Sequence, residues 1–325
     1  MCCRNTCALV FWILSSIFWL AVGVVLLTIL FLPGKARPNS PCHGFWGPNV
    51  YLHRGNLTLA QENTAEAVVS GVSMAVYSEM DILASSDGVP YLFHDANLQR
   101  MTGVDRDIAD VSSAELDNIP ILSTIDGYNY NKTNSIPTAE SVIQSICSTD
   151  PDAAIDLDVK DSASAESMVE ILAQSGCDVG TANSSIIFAF GHPLVGESLL
   201  NFRSEIPEVQ VRTSLFLHPN SYGPVGLYFF LKTRLLHYYA QVDMISAHYT
   251  VWDRDYDVIK SYEDDGFCSA VYGIPNTPEA IARYPSASYF IVDEGPYFPD
   301  NPDGQYGGDG SGDITYSGER GGYIA

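Results

Sequence analysis

Short apolar segments alternate with amphipathic segments along the chain after residue 48. Eight of the apolar segments have the length and the β-branched and aromatic content of strands. They are Val50–His53, Val76–Ala84, Ala153–Lys160, Ser185–Phe190, Val209–Phe216, Val242–His248, Ser269–Ile274 and Ser288–Val292. Helical segments lie between most of them, for example Ala163–Ser175, Pro193–Ser204, Arg254–Asp264 and Pro278–Tyr284. A strand–helix alternation that repeats eight times over about 250 residues predicts an α/β protein with a (β/α)8 TIM barrel.

The alternation is interrupted after the second strand. Residues 85–88 (Ser-Ser-Asp-Gly) have the composition of a hairpin turn, and the strand-like segment Val89–Phe93 follows them. We therefore expect a small hairpin insertion at this point. Such a hairpin would bring His94 back beside the end of the second barrel strand.

The N-terminal part of the chain carries an uncharged apolar segment at residues 8–32. As a helix it would be about 37 Å long, enough to cross a bilayer with some tilt. A secretory signal has an apolar region of only about 7–15 residues, so we expect an uncleaved transmembrane helix. The predicted organisation is an N-terminal tail at 1–7, the transmembrane helix at 8–32, a linker at 33–47, the barrel domain at 48–298 and a disordered Gly/Asp-rich tail at 299–325.

We expect the barrel to lie on the luminal or extracellular side of the membrane. Three N-glycosylation sequons fit this placement, at Asn56, Asn131 and Asn183, and suggest a glycoprotein. Four cysteines beyond the apolar segment show no metal-ligand spacing, so they form either disulfides in an oxidising compartment or buried thiols. They are Cys42, Cys147, Cys177 and Cys268.

A second apolar segment, Gly226–Ala240, is too short and too charged to span a membrane comfortably, because Lys232 and Arg234 lie in its middle. Two interpretations remain open for it. It is either one of the barrel helices or a helix on the membrane surface that holds the barrel mouth near lipid.

The charge balance excludes one class of partner. With 16 Lys and Arg residues and a formal net charge of −23, the chain is not suited to bind nucleic acid. An anionic phosphate substrate would also be repelled, unless a metal or local basic groups reversed the field at the binding site.

Acidic residues occur in two segments where a buried barrel strand should be apolar. Glu79 and Asp81 are two positions apart, so in a strand both side chains point to the same face. In the segment 155–160, Asp156, Asp158 and Lys160 share one face in the same way. Neighbouring carboxylates repel each other unless a proton or cation neutralises them, and all-oxygen ligands favour Mg²⁺ or Ca²⁺. The alternative is that these charges face solvent or pair with Arg and Lys.

A series of short motifs follows in order between residues 51 and 160. They are His53-Arg54-Gly55, Glu62-Asn63-Thr64, Glu79-x-Asp81, Asp87-Gly88-Val89-Pro90, His94-Asp95, Arg100-x-Thr102-Gly103, Ile136-Pro137-Thr138 and Asp158-Val159-Lys160. This series resembles the signature of the glycerophosphodiester phosphodiesterase family, most closely that of its membrane-tethered animal branch. Beyond residue 160 only the strand order and Asp293 fit. Agreement of so many ordered motifs is very improbable by chance.

The resemblance implies a role for each matching position. Glu79, Asp81 and Asp158 would bind a divalent metal, Mg²⁺ or Ca²⁺. His53 and His94 would act as general base and general acid, in an order that the sequence leaves open. Arg54 and Lys160 would bind the phosphate oxygens. Glu62 either contacts the substrate or supports the residues that do, or the segment Glu62-Asn63-Thr64 is a helix start. The other histidines, His192, His218, His237 and His248, are interpreted as structural or surface residues, although His218 follows a strand and could line the mouth.

The family function implied is metal-dependent hydrolysis of glycerophosphoinositol, glycerophosphocholine or glycerophosphoethanolamine to glycerol 3-phosphate and an alcohol. A first alternative is a lysophospholipase D acting on lysophospholipids or N-acyl lysophospholipids, which the apolar segments and the expected bilayer contact would suit. A second is a catalytically silent, membrane-anchored interaction protein, against which the intact histidines and carboxylates argue.

The chain departs from the family pattern in two places. Many members carry Glu where Asp158 stands. The W-T-x-N run that is usual near the seventh strand is replaced by Tyr272-Gly273-Ile274-Pro275-Asn276. The absence of the tryptophan is expected to reshape the alcohol pocket.

Overall fold

The computed structural model describes ten segments of the chain, namely residues 12–24, 50–72, 77–125, 128–130, 132–179, 186–191, 195–196, 198, 212–218 and 242–293. The N-terminal tail, the linker, the Gly/Asp-rich tail and most of the predicted helix Pro193–Ser204 lie outside these residues. So does the apolar segment Gly226–Ala240, so both interpretations of it stay predictions.

Eleven strands are present in the described segments. They are β1 (Val50–Leu52), β2 (Tyr77–Ala84), β3 (Pro90–Leu92), β4 (Thr124–Ile125), β5 (Tyr128–Asn129), β6 (Ile155–Val159), β7 (Ile186–Phe190), β8 (Arg212–Leu217), β9 (Met244–His248), β10 (Cys268–Pro275) and β11 (Tyr289–Asp293).

Eight of these strands are parallel and close into a barrel. The order around the ring is β1, β2, β6, β7, β8, β9, β10 and β11, and β11 pairs with β1 to complete the circle. Each of the eight predicted strands is present, with ends that differ by a few residues. The predicted TIM barrel is therefore confirmed.

Helices follow most of the barrel strands. The described ones are α1 (residues 12–24), α2 (Ala65–Val69), α3 (Gln99–Thr102), α4 (Ser113–Leu116), α5 (Ala139–Thr149), α6 (Ser162–Gln174), α7 (Tyr249–Arg254), α8 (Tyr256–Asp264) and α9 (Pro278–Ala282). The longer barrel helices begin at residues whose side chains accept a backbone N–H, namely Thr138 for α5 and Asp161 for α6. Such caps satisfy donors that the first helical turn leaves unpaired.

Two apolar layers hold the barrel together. Outward residues of the strands pack beneath the helices, as Leu157 and Phe188 do. Inward residues fill the lower part of the lumen, for example Tyr51, Met244 and Tyr289. Because side chains alternate across a strand, the inward positions nearest the carboxyl ends form the mouth, where active sites of this fold lie.

The insertion after β2 is larger than the predicted hairpin. β3 does pair antiparallel with β2, as expected. The chain then continues through α3, a 3-10 turn, α4 and the β4–β5 pair, and it buries a separate apolar cluster that includes Phe93, Leu98 and Met101. The apolar residues of this region are scattered among Asp, Ser and Thr, so they show no period that predicts elements this short.

The described part of the predicted transmembrane segment is α1, whose large apolar side chains are exposed, for example Trp12 by 68% and Leu20 by 71%. In the parts of the chain that the structure describes, no helix has the length and apolarity required to cross a membrane. The remainder of residues 8–32 lies outside those parts, so the span stays a prediction.

A disulfide joins Cys147 at the end of α5 to Cys177 just after α6, with the two Cα atoms 4.9 Å apart. For these two cysteines the structure therefore selects the disulfide over the buried thiol.

Candidate active site

Three acidic side chains meet at the mouth, at the ends of two neighbouring strands. β2 and β6 pair in register, with Asp81 opposite Asp158. Glu79, Asp81 and Asp158 are all buried, and each offers an oxygen within 4.8 Å of the other two. We call these three residues the carboxylate triad. They do not face solvent, which removes one of the two alternatives to a metal site.

Lys160 provides part of the other alternative, in which the acidic side chains pair with Arg or Lys. Its ammonium contacts Asp81 Oδ1 at 2.7 Å and also Asp158 Oδ2. Glu79 receives no such lysine contact among the described residues; its Oε2 accepts the backbone N–H of Arg54 at 3.0 Å. One lysine therefore offsets only part of the charge of the triad.

The electrostatics of the triad fit a divalent cation. Burial and the neighbouring Asp81 raise the pKa of Glu79. Burial likewise raises the pKa of Asp158, against the opposing effect of Lys160. Within the described residues, Asp158 Oδ1 is buried without a hydrogen-bond partner. For Asp81, burial is outweighed by Lys160 and His94, which lower its pKa. Three clustered carboxylates, two with a raised pKa and one with an unbonded oxygen, match the all-oxygen ligand set of Mg²⁺ or Ca²⁺. The shorter side chain of Asp158 does not keep it out of the cluster.

His53 lies directly after β1 and is held by a residue from the far end of the barrel sequence. Its Nδ1 lies 2.6 Å from Asp293 Oδ1, and its Nε2 is 4.0 Å from Glu79 Oε2. Burial and Arg54 lower the pKa of His53, but the Asp293 hydrogen bond and nearby acidic charges outweigh them and raise it to about 9. Asp293 thus fixes the ring so that Nε2 faces the triad.

His94 is placed beside the triad by the hairpin, as predicted. The backbone N–H of Phe93 donates to the Asp81 carbonyl at 3.0 Å. His94 Nδ1 lies 2.7 Å from Asp95 Oδ1, so this imidazole also has an aspartate partner. Burial and Arg54 lower the pKa of His94. The two histidines therefore share one mode of orientation but have pKa shifts of opposite direction.

Arg54 and Glu62 belong to a buried network of charges. Arg100 bonds Glu62 at 2.6 Å and Asp95 at 2.5 Å, while Arg54 lies 3.4 Å from Glu62. Burial raises the pKa of Glu62, but Arg54 and Arg100 outweigh it and lower the pKa to about 2. Glu62 does not cap a helix, because the side chain of Thr64 caps α2. The segment Glu62-Asn63-Thr64 does lead into a helix, as one interpretation expected, and the Glu62 side chain also bonds Arg54 and Arg100 beside the triad. A contact of Glu62 with substrate stays a prediction.

Asn63 has a role that the sequence motif does not reveal. Its Nδ2 donates to Asp81 Oδ2 at 2.8 Å, and its Oδ1 accepts the backbone N–H of Asp81 at 3.1 Å. This double contact fixes one carboxylate of the triad. Both Asn63 and Arg54 have positive φ, 53° and 59°, a conformation that non-glycine residues rarely adopt outside functional sites. Only the spacing Glu62-Asn63-Thr64 could have drawn attention to Asn63.

The opposite side of the mouth is lined by rings. Phe216 and Tyr272 lie with ring centres 5.1 Å apart, His248 and Tyr272 5.3 Å apart, and His218 and His248 5.6 Å apart. We call these four residues the aromatic wall. His248 is buried and caps α7, in line with a structural role, yet it also lines the mouth with His218. His192 and His237 lie outside the described residues.

Comparisons with known proteins identify what this arrangement resembles. The model of the glycerophosphoryl diester phosphodiesterase family matches residues 53–282. The chain is 41% identical over 59 residues to glycerophosphodiester phosphodiesterase domain-containing protein 5 of Gallus gallus, covering 18% of this chain and 10% of that protein. It is 36% identical over 98 residues to the glycerophosphoinositol inositolphosphodiesterase of Mus musculus, covering 28% and 17%. The matches thus span less than a fifth of either relative.

Solved structures share the fold at low identity. A phosphodiesterase of Oleispira antarctica, in complex with the product sn-glycerol-3-phosphate, has a TM-score of 0.59 at 21% identity, with 76% of this chain and 93% of that chain covered. A glycerophosphodiester phosphodiesterase of Thermotoga maritima has a TM-score of 0.53 at 22% identity, with 76% and 94% covered.

Proposed function

Because the chain belongs to the glycerophosphoryl diester phosphodiesterase family, we propose that it hydrolyses glycerophosphodiesters with a divalent metal held by Glu79, Asp81 and Asp158. The observation that carries the proposal is the convergence of these three buried carboxylates beside two imidazoles that each have an aspartate partner. Mg²⁺ or Ca²⁺, when bound, would supply a Lewis acid that stabilises charge developing on the phosphate.

Arg54 and Lys160 are the groups that would bind the phosphate oxygens. Both lie beside the triad, with Arg54 Nε 3.4 Å and Lys160 Nζ 2.7 Å from oxygens of Asp81. Three carboxylates, one divalent cation and two basic side chains give a local charge of about +1. This positive local charge would offset the acidity of the whole chain, whose formal net charge is −23.

His53 and His94 would share the proton transfers. One imidazole would accept the proton of the attacking hydroxyl or water, and the other would donate a proton to the departing alcohol. Asp293 and Asp95 would hold the rings through Nδ1, which leaves each Nε2 for the reaction. Arg100 would hold Asp95 in position and Glu62 would hold Arg54, and Arg100 and Glu62 also bond each other.

The products proposed are glycerol 3-phosphate and an alcohol. One consideration supports this choice, namely the product sn-glycerol-3-phosphate bound by the Oleispira antarctica phosphodiesterase. The glycerophosphoinositol substrate for which the Mus musculus relative is named fits cleavage of either ester bond. The alternative bond cleavage would release glycerol and a phosphorylated alcohol.

The test is product analysis with the purified protein. Glycerophosphoinositol, glycerophosphocholine, glycerophosphoethanolamine and a lysophospholipid are each supplied with Mg²⁺, with Ca²⁺ or with a chelator, and the products are identified by mass spectrometry. Metal-dependent release of glycerol 3-phosphate from the water-soluble diesters, lost in His94→Ala, supports the proposal. Turnover of the lysophospholipid alone, or turnover that persists in the chelator, contradicts it.

We further propose that the barrel lies on the luminal or extracellular side of a membrane, held by the apolar segment 8–32. The disulfide Cys147–Cys177 supports this placement, because disulfides persist in oxidising compartments. Non-reducing peptide mapping of protein made in eukaryotic cells tests it, together with protease protection of intact membranes. Free thiols at both positions, or a barrel digested from the cytosolic side, would show the opposite placement.

A further inference from the structure

A fourth acidic side chain lies inside the barrel, beneath the carboxylate triad. Asp156 is two residues before Asp158 on β6 and stands opposite Glu79 on β2. It therefore points into the lumen about 6.6 Å further down the strand, and it is fully buried. Asp156 does not belong to the triad, whose oxygens lie within 4.8 Å of one another. A metal held by those three residues would leave Asp156 unligated.

Both carboxylate oxygens of Asp156 lack a hydrogen-bond partner among the described residues, and so does the hydroxyl of Tyr51 on β1. Tyr51 is also fully buried and belongs to the inner layer of the barrel. Burial and Asp156 raise the pKa of Tyr51, so the two side chains are electrostatic neighbours. A buried polar atom without a partner costs free energy, and in folded proteins such atoms are usually satisfied by water or an ion.

Three further hydroxyls lie in the same part of the lumen. Ser214 Oγ lies 2.9 Å from Ser246 Oγ, which lies 2.8 Å from the hydroxyl of Tyr289. Burial and Asp156 raise the pKa of Tyr289 as well, which places this ring near the same carboxylate. Hydroxyl oxygens carry two acceptor lone pairs each, so they can ligate a cation while they donate to one another. We call Tyr51, Asp156, Ser214, Ser246 and Tyr289 the lumen cluster.

No basic side chain among the described residues offsets the charge of Asp156. Burial and the three triad carboxylates raise the pKa of Asp156. Arg212 on β8 opposes the raised pKa of Tyr51 but has no such effect on Asp156. Buried charges in proteins are paired or coordinate metal ions. An ionised Asp156 therefore requires a cation from solution.

The spacing of the oxygens suits a shared cation. Two oxygens on one cation of the size of Ca²⁺ each lie about 2.4 Å from it. They are therefore farther apart than two oxygens joined by a hydrogen bond, which are separated by about 2.5–3.0 Å. Asp156 and Tyr51 are electrostatic neighbours that form no direct hydrogen bond, as this arrangement requires.

From this geometry we infer that the lumen cluster is a second cation site, separate from the triad, which binds a monovalent cation of the size of Na⁺ through the carboxylate of Asp156 and the hydroxyl of Tyr51. One carboxylate among neutral hydroxyls gives a ligand charge of −1, which a monovalent cation balances. Mg²⁺ is less suited, because it dehydrates reluctantly and usually keeps several waters. The interior of an eight-stranded barrel is filled by side chains and leaves no room for them. The site does not depend on the reaction proposed for the mouth.

Thermal unfolding in salts of different cations tests this site. The wild type, Asp156→Asn and Tyr51→Phe are compared in NaCl and in tetramethylammonium chloride at equal ionic strength, with excess Mg²⁺ to compete for the triad. Tetramethylammonium is too large to enter the lumen. Na⁺ at ten times its dissociation constant should raise the thermal midpoint of the wild type by about 4 °C. The rise should be absent in Asp156→Asn, and Tyr51→Phe should require about tenfold more Na⁺ for the same rise.

Asp257→Asn, at an exposed position on α8, is the matched control. It removes the same formal charge as Asp156→Asn and should keep the full response to Na⁺. Asparagine keeps the shape of Asp156, so Asp156→Asn should fold in both salts. A response to Na⁺ that persists in Asp156→Asn would place the ion elsewhere. Equal midpoints of the wild type in the two salts would show that water or a proton satisfies these oxygens. Either result would overturn the inference.

Discussion

The two sides of the barrel mouth are built from different chemistry. At the mouth ends of β1, β2 and β6 the side chains are titratable or charged and contact one another, and within the described residues Glu62, Asn63 and Arg100 support them from outside the barrel. At the mouth ends of β8, β9 and β10 the side chains are rings whose planes lie at steep angles to one another. A charged side can bind and activate a phosphate, whatever alcohol it carries. An uncharged side can distinguish one alcohol from another. The comparison suggests that reaction and selectivity can be changed separately.

The largest expected effect comes from the charged side. Glu79→Gln removes one ligand charge while keeping the shape and an oxygen for the backbone N–H of Arg54. We expect kcat to fall by about 1,000-fold or more, because metal stabilisation of the transition state is worth several kcal/mol. Steady-state assays with each diester check this result. The loss should be equal for all alcohols.

Folding provides the control for this variant. In chelator the triad is self-repelling, and burial and Asp81 already raise the pKa of Glu79. The thermal midpoint of Glu79→Gln without metal should therefore equal or exceed that of the wild type. If turnover stays within tenfold of the wild type, the charged side does not depend on this ligand.

A smaller effect is expected from Asp293→Asn, which removes the negative partner of His53 Nδ1. Misorientation of one proton-transfer group should lower kcat by about 100-fold. The Asp293 hydrogen bond and nearby acidic charges raise the pKa of His53 to about 9 against burial and Arg54. Loss of a partner for the imidazolium lowers that pKa, so the His53 limb of the pH–rate profile should move to lower pH. An unmoved profile would mean that Asp293 has only a structural role.

The smallest effect on turnover is expected from Glu62→Gln, whose main consequence should be lower stability. Arg54 and Arg100 hold the pKa of Glu62 at about 2, against burial. A carboxylate whose pKa is lowered by folding stabilises the protein at pH values above its pKa in the unfolded chain. This stabilisation is lost as the pH falls toward its pKa in the folded protein. We expect the free energy of unfolding of Glu62→Gln to be lower than that of the wild type by about 3 kcal/mol at pH 7. This difference should narrow below about pH 4.5.

Urea unfolding of the wild type and Glu62→Gln at several pH values measures this difference in the free energy of unfolding. Tyr272→Phe is the comparison from the aromatic wall and should show no such pH dependence. A constant gap between the wild type and Glu62→Gln at all pH values would show that the carboxylate charge is not what stabilises the network.

The two sides of the mouth also differ in how well the sequence predicts them. The pairing of Glu79 with Asp81 was predictable because residues two apart share a strand face, whereas the third member of the triad, Asp158, came from the family motifs. The return of His94 was predictable from the hairpin turn. Both inferences use neighbours in sequence, and the dense motifs between 51 and 160 added the family.

Contacts between residues that are far apart in the sequence leave no recognisable pattern in the local sequence. Asp293 and His53 are 240 positions apart, and nothing in the period of either strand predicts their pairing. The aromatic wall joins three strands through ring packing that depends on the bulge at Gly273. The apolar cluster in the insertion after β2 consists of single apolar residues scattered along the sequence. A search for periodic patterns cannot detect such residues. These features require the closed barrel to be known first.

Calorimetric titration of Mg²⁺ and of Ca²⁺ into metal-free protein tests most directly whether the carboxylate triad is a metal centre. The wild type and Tyr272→Phe should each bind one equivalent of metal, and Glu79→Gln should lose that binding. Binding of the same strength in Glu79→Gln, or no binding to the wild type, would contradict the claim that the carboxylate triad is a metal centre.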